Sequence, residues 1–231
     1  MEHINLDRIK SYESPPKIVK IFSEKEIKMI QELYINLPEK IFNKKQNIRK
    51  KAWIQNYNKD LDQIYFSKLK DVLGDFKMDT LISETGEDFY GLFHESFSPL
   101  KLHVDSGFDE NSIIFKQVVT PLSSFGDSII FKNRWYGQST SFTIDKNELK
   151  FTPGSGQNKR SNKHIGDGEF DKEIHSKYLT HIDINNLKGL NVEMIYNWKI
   201  GETLIMDRSH IHSSSSRIRE KKLGLTTFTK K

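Results

Sequence analysis

The stretch SIIFKQVVTPLSSFGDSIIFK, residues 112–132, carries two apolar, β-branched runs on either side of a Ser-, Gly- and Asp-containing break. Runs of this length, rich in Ile, Val and Phe and bounded by turn residues, read as strands. The same texture extends outward in both directions. Upstream lie DFYGLFHESF (88–97) and LKLHVD (100–105). Downstream lie STSFTI (139–144), LNVEMIYNWK (190–199), ETLIMD (202–207) and LGLTTFT (223–229). Roughly eight short strands in about 140 residues predict a two-sheet barrel or jelly roll.

The opening of the chain reads differently. FSEKEIKMIQELYINLP (22–38) places Ser23 three residues before Glu26, a capping-box pattern, and then repeats Ile27, Ile30, Leu33 and Tyr34 at helical spacing until Pro38. KDLDQIYFSKLKDVLG (59–74) sets Leu61, Ile64, Tyr65, Leu69 and Val72 on one face and ends on Gly74. The expected architecture is mainly β with N-terminal helices, and those helices pack on one sheet. One domain over 1–231 is expected, with helical support over about 1–80 and a β core over about 86–231. Within that core a long polar insertion falls near 132–190, and its Gly-rich part from about Phe151 to His175 reads as a loop.

Bulk composition narrows the chemistry. Of 231 residues, 35% are hydrophobic and 11% aromatic, which suits a globular chain. Lys and Arg number 36 against 31 Asp and Glu, a mild bias toward anionic partners, but the basic residues are spread along the chain rather than gathered into a nucleic-acid footprint. With no cysteine, disulfides, thiolate catalysis and Cys-ligated metal sites are excluded. No signal-like or membrane-length apolar run occurs in the sequence, so a cytoplasmic protein is expected, with no membrane partner.

His103 and Asp105, in KLHVDSGFD (101–109), stand two apart in an extended run and so share a face, while Leu102 and Val104 point the other way. An imidazole and a carboxylate on one face are two ligands for a divalent metal. A histidine from a distant strand completes a facial triad, which leaves adjacent coordination positions open. GETLIMDRSHIHSSSSRIREKKLGLTTFTKK (201–231) offers His210 and His212 for that place, with Arg217, Arg219, Lys221 and Lys222 beyond them.

Taken together, these elements resemble the iron(II)- and 2-oxoglutarate-dependent oxygenases. They are more particularly similar to a branch found in marine bacteria and their phages. That branch carries H-x-D-S-G, Q-x-x-x-P-L, G-D-L-I-x-F-D-R-S-x-x-H-x-S-S and K-L-G-L-S-x-F-T-K, which here read HVDSG, QVVTPL, GETLIMDRSHIHSSS and KLGLTTFTKK. The resemblance implies a double-stranded β-helix, a cupin-like jelly roll with helices on its major sheet. It implies Fe(II) held by His103, Asp105 and His212, with His210 the runner-up, and 2-oxoglutarate and O2 as co-substrates. Lys222 matches the basic anchor for the far carboxylate of 2-oxoglutarate, and Arg217 and Arg219 are the fallbacks. Many members use arginine there with a serine or threonine two residues later; this chain has Gly224, and Thr226 follows on the same face. Asp105, which halogenating members lack, implies hydroxylation or a related desaturation or demethylation.

Other positions carry less. Gln117 is either a co-substrate contact or a barrel-lining amide. Tyr90 and His94 read as packing before pocket lining. Arg134 and Trp135 suit a substrate entrance and a hairpin turn equally, and His164, His175 and His181 read as solvated. The prime substrate, a small molecule or a macromolecular side chain, has no signature. The alternative from another class is a cupin-like protein that keeps its ligands without turnover.

Overall fold

The computed structural model describes residues 5–38, 41–43, 47–82, 88–89, 91–105, 112–137, 140–143, 156–159 and 168–231. Tyr90, His164 and most of the Gly-rich run from 151 to 167 lie outside them.

The chain begins with α1 (Leu6–Ser11), β1 (Lys17–Val19), α2 (Glu24–Asn36), β2 (Ile41–Asn43), β3 (Ile48–Trp53) and α3 (Lys59–Leu73). Three two-residue strands follow: β4 (Lys77–Met78), β5 (Leu81–Ile82) and β6 (Asp88–Phe89). The core then runs through β7 (Gly91–Ser96), β8 (His103–Val104), β9 (Ile114–Pro121) and β10 (Asp127–Arg134). Next come β11 (Thr140–Thr143), β12 (Gly156–Lys159) and α4 (Lys172–Tyr178). It closes with β13 (Val192–Asn197), β14 (Thr203–Asp207), β15 (His210–Ser214) and β16 (Lys222–Lys230).

Two sheets result. The major sheet runs β1-β14-β9-β16-β7-β3-β2, with β4 added along β16, and the minor sheet runs β12-β11-β8-β15-β10-β13. β7 to β10 and again β13 to β16 alternate between these two, while β11 and β12 extend the minor sheet. The expected fold class is the one observed.

Burial explains why the central strands lack clean alternation. β9 and β14 are buried at every residue, because each is covered on both faces. Outside the major sheet, Ile27, Ile30 and Leu33 of α2 and Leu61, Tyr65 and Leu69 of α3 close over Val118, Ile205 and Leu225. Between the sheets, Val119, Leu204 and Met206 meet Ile130 and Tyr196. Outside the minor sheet, Val104, Ile129 and Ile211 are covered by Phe170, Leu179 and Leu187.

The cover on the minor sheet differs from the expected long loop. Residues 172–178 form a helix, because Asp171 caps it by accepting from the backbone N–H groups of Glu173 and Ile174. No helix among the described residues is long and apolar enough to cross a membrane.

Candidate metal centre

β8 is short, but its alternation does the placing. Leu102 and Val104 turn into the outer core, at 0% and 1% exposure, which aims His103 and Asp105 inward. His212 on β15 stands directly opposite His103 in the ladder. The two imidazoles are therefore neighbours, with centroids 4.2 Å apart. Asp105 Oδ2 lies 3.8 Å from His103 Nε2 and 3.4 Å from His212 Nε2. One ligand atom from each of the three residues lies within 4.8 Å of the others.

The imidazoles are oriented by backbone. His103 Nδ1 is 2.7 Å from the carbonyl of Lys101, and His212 Nδ1 is 3.0 Å from that of His210. With Nδ1–H spent on a carbonyl, each ring presents the Nε2 lone pair to the shared point. Burial, seconded by the neighbouring His212, lowers the His103 pKa to about 4, so its ring is neutral at physiological pH. Burial alone would raise the Asp105 carboxyl, but its position beside His212, His103 and His94 outweighs that and holds the group below the usual range. Two imidazole nitrogens and one carboxylate oxygen, all aimed at one point, fit a ferrous ion.

Gln117, on β9, donates from Nε2 to Asp105 Oδ2 at 3.0 Å, while its Oε1 is buried and has no hydrogen-bond partner. Arg208 was not singled out in the sequence. It is 1% exposed, and it donates from Nε to the Asp105 carbonyl (3.3 Å) and from Nη1 to Asp79 and to the Thr229 carbonyl (3.2 Å). One side chain thus ties the β14–β15 turn to the ligand loop and to β16.

Lys222 is buried, with Nζ 3.0 Å from the Asp127 carbonyl and 3.9 Å from the Trp198 ring centroid. Burial lowers its pKa to about 7. Thr226 lies four residues further along β16, opposite Leu92 and Val119, on the face that Lys222 shares. Gly224, between them, is required: a Cβ there would sit 2.6 Å from the Trp198 ring. The indole is pinned by its Nε1 donating to Ser128 Oγ at 2.9 Å. The fallback anchors point elsewhere. Arg217 and Arg219 are exposed, and Arg217 lies over the outer ring of Tyr178.

His210 is also buried, but both of its nitrogens are engaged elsewhere, Nδ1 with the Asp207 carbonyl and Nε2 with Glu193. It shares His212's parity, yet its ladder partner is Arg134 rather than His103. It therefore joins an ion network with Asp207, Glu193, Arg134 and Lys116 outside the triad. Arg134 belongs to that network, and Trp135 packs edge-on against Phe142. His175 and His181 are not simply solvated: each bonds a backbone carbonyl, Ile182 and Leu100 respectively.

No family model matches the chain, and no curated protein matches it in sequence. Solved structures do match. An oxidoreductase of the 2OG-Fe(II) oxygenase family from Burkholderia pseudomallei is 12% identical with a TM-score of 0.51, over 97% of this chain and 89% of that one. The chain has the fold of a 2OG-Fe(II) oxygenase. The non-heme alpha-ketoglutarate-dependent carbocyclase SnoK from nogalamycin biosynthesis gives 9% and 0.52, over 97% and 83%. The epimerase SnoN, solved with Fe3+, alpha ketoglutarate and nogalamycin RO, gives 10% and 0.50 over the same shares. In this fold β8 and β15 lie side by side in the minor sheet.

Proposed function

We propose that the protein is an iron(II)- and 2-oxoglutarate-dependent dioxygenase that hydroxylates a small molecule or a macromolecular side chain. The observation that carries this is the convergence of His103, Asp105 and His212 donors within 4.8 Å inside an oxygenase fold. Bound iron(II) supplies the oxidative chemistry, in which 2-oxoglutarate, O2 and a C–H bond become succinate, CO2 and an alcohol.

The chain's own residues hold and orient the reactants. His103 and His212 give imidazole nitrogens whose direction the backbone fixes, and Asp105 gives the carboxylate. Gln117 steadies Asp105 Oδ2, and its unsatisfied Oε1 offers an acceptor inside the cavity. Lys222 faces the far carboxylate of the co-substrate from the inner face of β16, with Thr226 beside it. The Trp198 ring lies over both the amine and Gly224 and excludes water from that end, which strengthens the ion pair. Arg208 acts through the Asp105 carbonyl and is a positioning residue.

The test is succinate formation from 2-oxoglutarate under air, with and without a metabolite library, in the parent and in His103→Ala. Formation in the parent that falls at least ~100-fold in the variant supports the proposal. Equal turnover in both proteins overturns the ligand set. A parent that binds iron and never forms succinate is the cupin-like, non-catalytic protein instead.

A further inference from the structure

We infer that the prime substrate carries a polar hydrogen, an O–H or N–H beside the carbon that is oxidised, and donates it to Gln117 Oε1 at the metal centre. This rests on the oxygenase reading above and extends it to the class of substrate.

Gln117 stands at the triad by direct contact. Its Nε2 lies 3.0 Å from Asp105 Oδ2, the oxygen that is itself 3.8 Å from His103 Nε2 and 3.4 Å from His212 Nε2. Chemistry sets the orientation of the carboxamide. A carboxylate that ligates a metal has no proton and only accepts, so the reverse orientation would set two acceptors against each other. Nε2 is therefore committed to Asp105, and Oε1 is the free end of the side chain.

Nothing among the described residues satisfies that oxygen. Gln117 is 3% exposed, and its Oε1 is buried without a hydrogen-bond partner. The ladder partners on either side are Met206 on β14 and Phe228 on β16. Val119, two residues along on the same face, packs with Met206 between the sheets. None of these side chains has a polar hydrogen to give. Buried polar atoms in native folds nearly always have a partner, so an orphan beside a ligand site is accounted for by the ligand. The approach is open from the side of the metal ligands. Asp105, in front of the amide, keeps 32% of its side chain exposed, and His103 keeps 18%. A molecule that reaches those ligands arrives beside the carboxamide, and a small turn about the soft terminal torsion of Gln117 brings Oε1 to it.

Chemistry then selects the molecule. 2-Oxoglutarate as a dianion and O2 hold no polar hydrogen, so neither donates to Oε1, and the prime substrate is the remaining reactant. An alcohol, amide or amine satisfies the oxygen, whereas a hydrocarbon chain, an ether or an ester leaves it unpaired in an apolar setting. A site built around a hydrogen bond rejects the analogue that lacks the donor far more strongly than an apolar pocket rejects a misfit. Gln117 thus positions Asp105 through Nε2 and selects the substrate through Oε1.

The experiment uses the full chain, loaded anaerobically with saturating Fe(II) and 2-oxoglutarate, and follows the visible charge-transfer band as small alcohols and amides are added. Each is paired with the analogue in which methyl replaces every polar hydrogen, cyclohexanol with methoxycyclohexane and benzamide with N,N-dimethylbenzamide, across a panel of both types. The expected result is that at least one donor perturbs the band and its methylated counterpart binds at least ~10-fold more weakly. In Gln117→Met, which has neither amide atom, the two members bind alike, and far-ultraviolet circular dichroism confirms that the variant is folded. The comparison is a ratio within one protein, so a loss of iron affinity through Asp105 falls on both members equally. A steric preference for the smaller member would survive in the variant, whereas the hydrogen bond does not. The proposal is overturned if methylated members act as well as donors, if no donor acts at millimolar concentration, or if folded Gln117→Met discriminates as the parent does. If 2-oxoglutarate raises no band in the parent, the oxygenase reading fails first and takes the substrate assignment with it.

Discussion

Lys222 and His212 show what a single side chain contributes and how far a sequence announces it. The triad histidine was narrowed to two positions of equal parity, and only register separates them: His212 faces His103, whereas His210 faces Arg134. Local pattern cannot carry that distinction, because it depends on which strand arrives alongside. The burial of Lys222 was equally invisible, since it follows from Trp198 folding back over Gly224 from another strand. That burial has a measurable consequence. The folded-state pKa is lowered to about 7, so between about 7 and the ordinary lysine range the unfolded chain holds a proton that the folded chain does not. Stability therefore rises with pH across that window, and the full cost of the buried charge is felt below about 7. Lys222→Met is expected to be more stable than the parent at neutral pH by an amount on the order of a few kcal/mol, with the gap closing toward roughly pH 10. Urea denaturation of both proteins at the two pH values checks this, and parallel pH dependences would contradict it. The same variant should lose affinity for 2-oxoglutarate, an exchange of stability for function.

At the scale of elements, the two opening helices were legible because their signals are local. Ser23 and Glu26 make the reciprocal capping box, with Ser23 N–H donating to Glu26 Oε2 at 2.7 Å and Glu26 N–H to Ser23 Oγ at 3.3 Å. Ser23→Ala should cost about 1 kcal/mol in thermal or denaturant unfolding while leaving metal binding as in the parent. The turn at Arg208 and Ser209 joins β14 to β15, and the use it makes of Arg208 was not legible, because the partners lie at Asp79, Asp105 and Thr229. Arg208→Gln leaves Asp79 without its buried guanidinium and frees the Asp105 carbonyl. We expect about 3 kcal/mol of lost stability and a metal affinity at least tenfold weaker in the fraction that is folded. Titration of Fe(II) at a temperature where circular dichroism shows the variant folded separates the two effects. Undiminished affinity would make Arg208 structural only. The helix at 172–178 escaped the sequence reading because it is short and polar, and its stability comes from the Asp171 cap and from packing of its flanks on the minor sheet rather than from periodicity.

Across the whole molecule, alternating strands between two sheets turns a linear pattern into a cavity. Strand runs, turns and the helical opening were enough to give the layers. The row Lys50, His94 and Gly224 was not legible, because those residues come into line only through the ladders of β3, β7 and β16, and Trp198 reaches Gly224 only on the return of the chain after β13. The central claim is that His103, Asp105 and His212 hold one ferrous ion, with open positions for 2-oxoglutarate. The most direct measurement is anaerobic titration of Fe(II) and 2-oxoglutarate into the parent, His212→Ala and His210→Ala, read by the charge-transfer band and by iron bound per chain. The account predicts one iron and a saturable band in the parent and in folded His210→Ala, and a loss of iron affinity of at least ~100-fold in His212→Ala. A parent that binds no iron, or a His212→Ala variant that binds it as tightly as His210→Ala does, would contradict it.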